Sequence, residues 1–166
     1  MIIPINNMPP HSRVLIYQAN REFGKMETDL ILSMTNEYIA HWKSHELDVN
    51  AACEIRYNRF IVVYIDESAD MIGGCSLDKS IHFFQGLEQE FGVSLFDRMN
   101  IAYKLNGVVN SCSKSEFEKL ISEGIIDEDT LVFNNLVSNK MELETNWEIP
   151  FKNSWHNKIF TLPQRV

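Results

Sequence analysis

The sequence predicts an α+β fold. Apolar runs of strand length alternate with runs of helical spacing, in the order strand, helix, strand, strand, helix, strand. That order is the split βαβ, or ferredoxin-like, pattern. Apolar residues make up 45% of the 166 residues, which is enough for a substantial core. We therefore expect a ferredoxin-like domain over residues 1–100 and a small αβ subdomain with a tail over residues 101–166.

The first half of the predicted domain contains a strand, a helix and a hairpin. The strand covers residues 13–19 and the helix residues 25–45. Strands over residues 51–57 and 60–65 flank a turn at Asn58-Arg59. The second of these strands is apolar on both faces, which predicts a central position in the sheet. The inward face of the helix is predicted from apolar residues that recur every four positions: Met26, Leu30, Met34, Tyr38 and Trp42.

A second helix is predicted over residues 76–91, with Gly92 as its C-cap. Strands follow over residues 99–103 and 108–109. In the last third, Ser113 and Glu116 have capping-box spacing, Gly124 ends that helix, and residues 130–133 form a strand. We expect Trp147 and Trp155 to pin the tail to the core. The residues predicted to face inward from the second helix are Leu77, Ile81, Phe84, Leu87 and Phe91.

Charge and composition exclude several classes of partner. The net charge of −8 argues against nucleic acid and anionic membranes as main partners. No apolar run reaches the roughly 18 residues of a spanning helix, and residues 1–5 lack the basic region of a signal peptide. Three widely spaced cysteines, Cys53, Cys75 and Cys112, predict reduced thiols in a cytoplasmic protein. Self-association stays open.

The segment Gly73–Ser80 differs by one residue from a phosphate-binding P-loop. Gly73, Lys79 and Ser80 fit that motif, but Asp78 occupies the position of its second glycine. A carboxylate about 4 Å from a phosphate would cost roughly 4 kcal/mol at an effective dielectric near 20. We therefore favour a Gly-Gly turn and a capped helix over an ATPase loop.

A Walker B-like pair, Asp66-Glu67, follows the apolar strand that ends at Ile65, but it precedes the glycines instead of following them. The leading hypothesis is a non-catalytic binding module for a small anion or a protein segment, because a helix N-terminus attracts anions. The alternative is an enzyme that handles a nucleotide or phosphoester with Mg²⁺; otherwise no cofactor or metal is expected. The residues predicted to bind the ligand are Gly73, Gly74, Cys75, Ser76, Asp78, Lys79, Ser80, Asp66 and Glu67.

A second alternative is a thiol enzyme that depends on Cys75, since a helix N-terminus favours thiolate. It requires His11, His41 or His156 to meet the sulfur in space. His82 is too far along the same helix, at roughly 10 Å. The i,i+4 series Glu37, His41 and His45 could present ligands to one metal, but histidines in a last helical turn suit the helix dipole without a metal.

Five segments spread over nearly the whole chain carry a resemblance to known proteins: Tyr57–Ile61, Gly74–Ser80, Leu95–Arg98, Val132–Leu136 and Ser154–His156. Through them the chain resembles a family of uncharacterised bacterial proteins of similar length, whose members are often labelled ABC transporter ATPases. That resemblance implies the label but no established activity. Through Ser115–Phe117 and Asp129–Phe133, residues 101–149 more weakly resemble a GYF-like peptide-binding module.

Overall fold

The computed structural model describes residues 1–164 and confirms a mixed α+β fold. The chain forms two compact units. Unit 1 consists of residues 1–96 together with 138–141, and unit 2 consists of residues 97–137 together with 142–164. The predicted division after residue 100 lies close to this boundary, but the sequence did not assign residues 138–141 to the first unit.

Unit 1 is a three-stranded antiparallel sheet with two long helices. Its sheet order is β1-β5-β4. The middle strand, β5, is buried from Phe60 to Ile65, as its two apolar faces predict. The elements of this unit are β1 (Arg13–Gln18), α1 (Lys25–Ala40), β2 (Lys43–Ser44), β3 (Leu47–Asp48), β4 (Asn50–Arg56), β5 (Phe60–Asp66) and α2 (Gly74–Phe91).

The full ferredoxin-like topology is not confirmed. The order β1-β5-β4 is that of a split βαβ unit, but the ferredoxin-like pattern needs a fourth strand. The predicted fourth strand instead joins a separate sheet. The free edge of β1 is met by residues 138–139: Val14 N–H donates to Ser138 O over 3.0 Å, and Arg13 bridges Asn139. This contact covers part of an edge that would otherwise be unpaired.

The predicted inward face of α1 is wrong at its beginning. The buried residues of the helix are Ile31, Thr35 and Ile39, whereas Met26 and Leu30 are exposed. Positions four apart advance about 40° beyond a full turn, so a four-residue repeat winds around a long helix instead of following one face. The helix also ends at Ala40, before the predicted end at residue 45.

Helix α2 begins two residues earlier than predicted and ends as predicted. Gly92 adopts φ 61°, the left-handed conformation of a glycine cap, and its N–H bonds to Glu88 O. Its fully buried residues are Ser76, Ser80, Phe84 and Leu87. Ile81, predicted to face inward, is exposed. The two serines take the inward positions nearest the N-terminus.

Unit 2 is built on a four-stranded antiparallel sheet of order β7-β6-β8-β9. Ser113 caps α3 and Glu116 completes the capping box, as predicted. Phe117 lies at the centre of its core, against Tyr103, Phe151 and Phe160. The remaining elements are β6 (Ile101–Leu105), β7 (Val108–Cys112), α3 (Lys114–Ser122), β8 (Leu131–Phe133), α4 (Lys140–Asn146), β9 (Glu148–Pro150) and α5 (His156–Ile159). The first two residues of α4 belong to unit 1. None of the helices within residues 1–164 has the length and apolar character needed to cross a bilayer.

Candidate functional site

The P-loop-like segment is helical almost throughout. A phosphate-binding loop needs consecutive N–H groups that turn inward around the phosphate. Here the helix begins at Gly74, and the N–H groups of Ser76 and Leu77 both bond to Gly73 O, each over 3.1 Å. The N–H of Gly73 donates to Ser44 Oγ over 2.9 Å. Within the described residues, Gly74 and Cys75 are left as the open amides of this turn.

The side chains of the segment divide between two faces. Gly74, Cys75, Asp78 and Lys79 are exposed. Ser80 is buried and donates to Leu77 O over 2.6 Å, so its hydroxyl is used inside the helix. A P-loop serine would instead hold Mg²⁺ beside the phosphate. The geometry therefore does not favour the Mg²⁺-dependent enzyme.

Ser76 and Gly73 serve the packing of a hairpin. Ser76 Oγ donates to Lys43 O over 2.8 Å, which attaches the β2–β3 hairpin to the start of α2. A Cβ on Gly73 would lie 2.9 Å from His45 Nε2, at the tip of that hairpin. Because Gly73 has no side chain, the β2–β3 hairpin can pack closely against the start of α2, and this packing accounts for the glycine without a bound phosphate.

The Walker B-like carboxylates shape their own loop. Asp66 Oδ1 accepts hydrogen bonds from Ser68 N over 3.0 Å and from Ser68 Oγ over 2.5 Å. Glu67 Oε1 accepts from Ile72 N over 3.1 Å and lies 3.7 Å from an Arg13 nitrogen. Neither carboxylate bonds to Lys79 or Ser80. The structure therefore does not join the two halves of the predicted site into one nucleotide centre.

The thiol and metal hypotheses find no supporting geometry. Cys75 is exposed, and no described histidine bonds to it. His11 Nε2 lies 2.8 Å from Ser68 Oγ, His41 Nδ1 lies 3.0 Å from Glu37 O, and His156 is buried in the core of unit 2. His45 lies outside α1, with φ 50° in the β2–β3 turn. No group of three His, Cys, Asp or Glu side chains within residues 1–164 is arranged to hold a metal ion.

The remaining surface is the exposed N-terminal turn of α2. No heavy atom lies within 4 Å of a Cβ built on Gly74, and neither the Gly74 nor the Cys75 amide donates a hydrogen bond to a described residue. Lys79 follows Cys75 by one turn on the same face, and helical side chains lean toward the N-terminus. Asp78, also exposed, adds an opposing charge. Two amides, a helix dipole and one ammonium group can bind a small anion of modest charge.

A second polar cluster, in unit 2, was not predicted. His156 is buried and stacks on Trp155, with ring centroids 3.8 Å apart. Its Nδ1 lies 2.6 Å from Ser154 Oγ. Burial lowers the pKa of His156 to about 4, so the ring is neutral at pH 7. Ser154 is also buried, which keeps this pair from a substrate and indicates a structural role.

Comparisons of the chain with protein-family models, with curated proteins and with solved structures find no match. The resemblances to the uncharacterised bacterial family and to a GYF-like module stay predictions.

Proposed function

We propose that the chain is a non-catalytic binding module and that the N-terminal turn of α2 binds a small anionic group. The observation that supports this proposal is the open pair of amides at Gly74 and Cys75, with the ammonium group of Lys79 on the same face. No carboxylate among the described residues forms an ion pair with Lys79, so its charge is available to a ligand.

The proposal is tested by thermal unfolding in sodium phosphate against sodium chloride of equal ionic strength. A phosphate concentration tenfold above the dissociation constant stabilises the folded state by about 1.4 kcal/mol. For a chain of this length, that raises the midpoint by about 3 to 6 °C. Lys79→Ala should remove most of this rise. Lys25→Ala, which deletes an exposed lysine in the first turn of α1, is the matched control and should keep it.

Asp78 provides a test with the opposite sign. Asp78→Asn removes a negative charge from the same face and should tighten phosphate binding several-fold, most strongly at low salt. If phosphate raised the unfolding midpoint equally for the wild type, Lys79→Ala and Asp78→Asn, the N-terminal turn of α2 would not be the binding site. A shift with ATP that requires Mg²⁺ would instead support the enzymatic alternative.

A further inference from the structure

A cavity of about 670 Å³ lies in unit 1 at the N-terminal end of α1. Its walls are residues 22–25, Thr28 and Asp29 of α1, and Asn58 of the β4–β5 turn. Small-molecule sites usually have volumes of about 300 to 1,000 Å³. Phe23 is buried and gives the cavity an apolar wall, whereas most of the other lining residues are exposed. This α1 cavity is therefore large enough for a small ligand and open to solvent.

A backbone hydrogen bond holds the two sides of the α1 cavity together. Phe23 N–H donates to Asn58 O over 2.7 Å, which ties the segment before α1 to the β4–β5 turn. Asn58 has φ 49°, a left-handed conformation that asparagine adopts more readily than most residues. Its side chain is exposed and forms no hydrogen bond with a described residue. The carboxamide of Asn58 is therefore available to a ligand in the cavity.

The α1 cavity contains unpaired charges of both signs. Glu22 and Asp29 contribute two carboxylates, and Lys25 contributes an ammonium group. None of the three forms an ion pair with a described residue. Lys25 and Asp29 are one helical turn apart, a spacing that allows an ion pair, yet they form none. A ligand therefore meets two free negative groups and one free positive group.

The other charged groups near the α1 cavity are paired or buried. Arg21 bonds to both oxygens of Glu27, each over 2.8 Å. On the two sides of the β4–β5 turn, Arg56 bonds to Glu54 over 2.7 Å and Arg59 is buried. These residues do not change the balance of free charges that a ligand in the cavity meets.

Two further polar groups of α1 have no partner in the described chain. Thr28 lines the cavity, and its Oγ1 atom is fully buried without a hydrogen bond. Because buried hydroxyl groups normally have a partner, this oxygen indicates a place for a polar atom of a ligand. Gly24, the N-cap, has no side chain to accept a hydrogen bond, and the Lys25 amide donates none to a described residue. An amide in the first turn of a helix favours a carboxylate.

We propose that the α1 cavity binds a free amino acid. The carboxylate of the amino acid pairs with the ammonium group of Lys25 and accepts a hydrogen bond from the Lys25 amide. Its ammonium group pairs with the carboxylates of Glu22 and Asp29. Its side chain packs against Phe23, and Thr28 Oγ1 gains a hydrogen-bond partner.

The pattern of charges selects a zwitterion over a simple ion. An inorganic anion such as phosphate meets two carboxylates beside one ammonium group, and a simple cation leaves Lys25 unpaired. Lys25→Ala therefore stays a suitable control for phosphate binding at the N-terminal turn of α2. The amino-acid proposal does not depend on anion binding at that turn.

The test is a titration of the protein with each standard amino acid in turn, followed by ¹H–¹⁵N correlation spectra. We expect at least one of them to shift the amides of residues 24–29 and Asn58 in a saturable manner. Its C-terminal amide, which lacks the carboxylate, and its N-acetyl derivative, which lacks the ammonium group, should each bind at least tenfold more weakly. The proposal is overturned if no amino acid moves these amides, or if either derivative binds as tightly as the free amino acid.

Substitutions of exposed residues locate the site. Lys25→Gln and Asp29→Asn should each weaken amino-acid binding at least tenfold, and thermal unfolding verifies that both variants are folded. Glu37→Gln removes an exposed carboxylate from α1 outside the cavity and should leave the affinity unchanged. Lys79→Ala should also leave it unchanged, although the same variant should lose the response to phosphate. Full affinity in Lys25→Gln, or equal losses in Asp29→Asn and Glu37→Gln, would contradict binding in the α1 cavity.

Discussion

Acidification should destabilise unit 2 through one buried histidine. The surroundings of His156 are its hydrogen-bond partner Ser154 and the rings of Phe117, Phe151 and Trp155. None of these carries a charge, and burial is the cause of the low pKa. In the unfolded chain the same imidazole has a pKa near 6.5. Between pH 6.5 and pH 4 the unfolded state therefore binds a proton that the folded state does not.

The sign and size of the effect follow from that difference in pKa. Stability is full above pH 6.5, falls as the pH is lowered toward 4, and levels off below the folded pKa. The pKa of His156 is about 4 in the folded state and about 6.5 in the unfolded chain, a difference of about 2.5 units. At 1.36 kcal/mol per unit, the free energy of unfolding falls by about 3 kcal/mol over this pH range.

The assay is urea unfolding at a series of pH values from 7.5 to 4, for the wild type and His156→Gln. The variant is less stable at pH 7 but lacks this titration, so the difference between the two free energies of unfolding should shrink as the pH falls. His82→Gln, at an exposed position on α2, is the control and should keep the wild-type profile. A difference that stays constant over this range would refute the reasoning, as would an NMR titration of His156 near pH 6.5.

Four substitutions test the packing, the caps and a helical glycine by urea denaturation. Phe117→Ala deletes a fully buried ring at the centre of unit 2 and should cost about 3 to 5 kcal/mol; a loss under 1 kcal/mol would contradict its central position. Ser113→Ala removes the N-cap of α3 and should cost about 1 kcal/mol, and an unchanged midpoint would argue against the capping box. Gly92→Ala forces an alanine to φ 61° and should cost about 1 kcal/mol. Gly86→Ala places an alanine inside α2, where a Cβ meets no other atom, and should stabilise the fold by up to about 1 kcal/mol. Effects of the same sign for both substitutions would contradict this account.

The elements that the sequence predicted correctly are those whose local signals agree with the packing. The strand from Phe60 to Asp66 is apolar on both faces and takes the centre of its sheet. Gly92 and Ser113 occupy the cap positions that their chemistry favours. The two caps satisfy the same constraint in a short peptide as in the folded chain, and a strand that is apolar on both faces can be covered on both only inside a sheet, so local reasoning is sufficient.

The remaining features depend on contacts that local patterns do not encode. The β2–β3 hairpin turns through His45 and Glu46, both at positive φ, without the Asn or Gly that usually marks such a turn. By contrast, Asn106-Gly107 is a strong hairpin signal. The turn that it forms pairs β6 with β7, so β6 belongs to the second sheet and does not become the fourth strand of the first sheet. The P-loop-like sequence of Gly73–Ser80 does not reveal that the Ser80 side chain points into the core. That orientation depends on the residue at which α2 begins.

The most direct test of the proposed function is a phosphate titration followed by ¹H–¹⁵N correlation spectra at constant ionic strength. The account predicts saturable shifts of the Gly74 and Cys75 amides, because these are the open donors of the α2 N-terminal turn. Lys79→Ala should raise the phosphate concentration needed for half of the shift. Unmoved Gly74 and Cys75 amides, with shifts elsewhere or nowhere, would contradict the proposal that this turn binds anions.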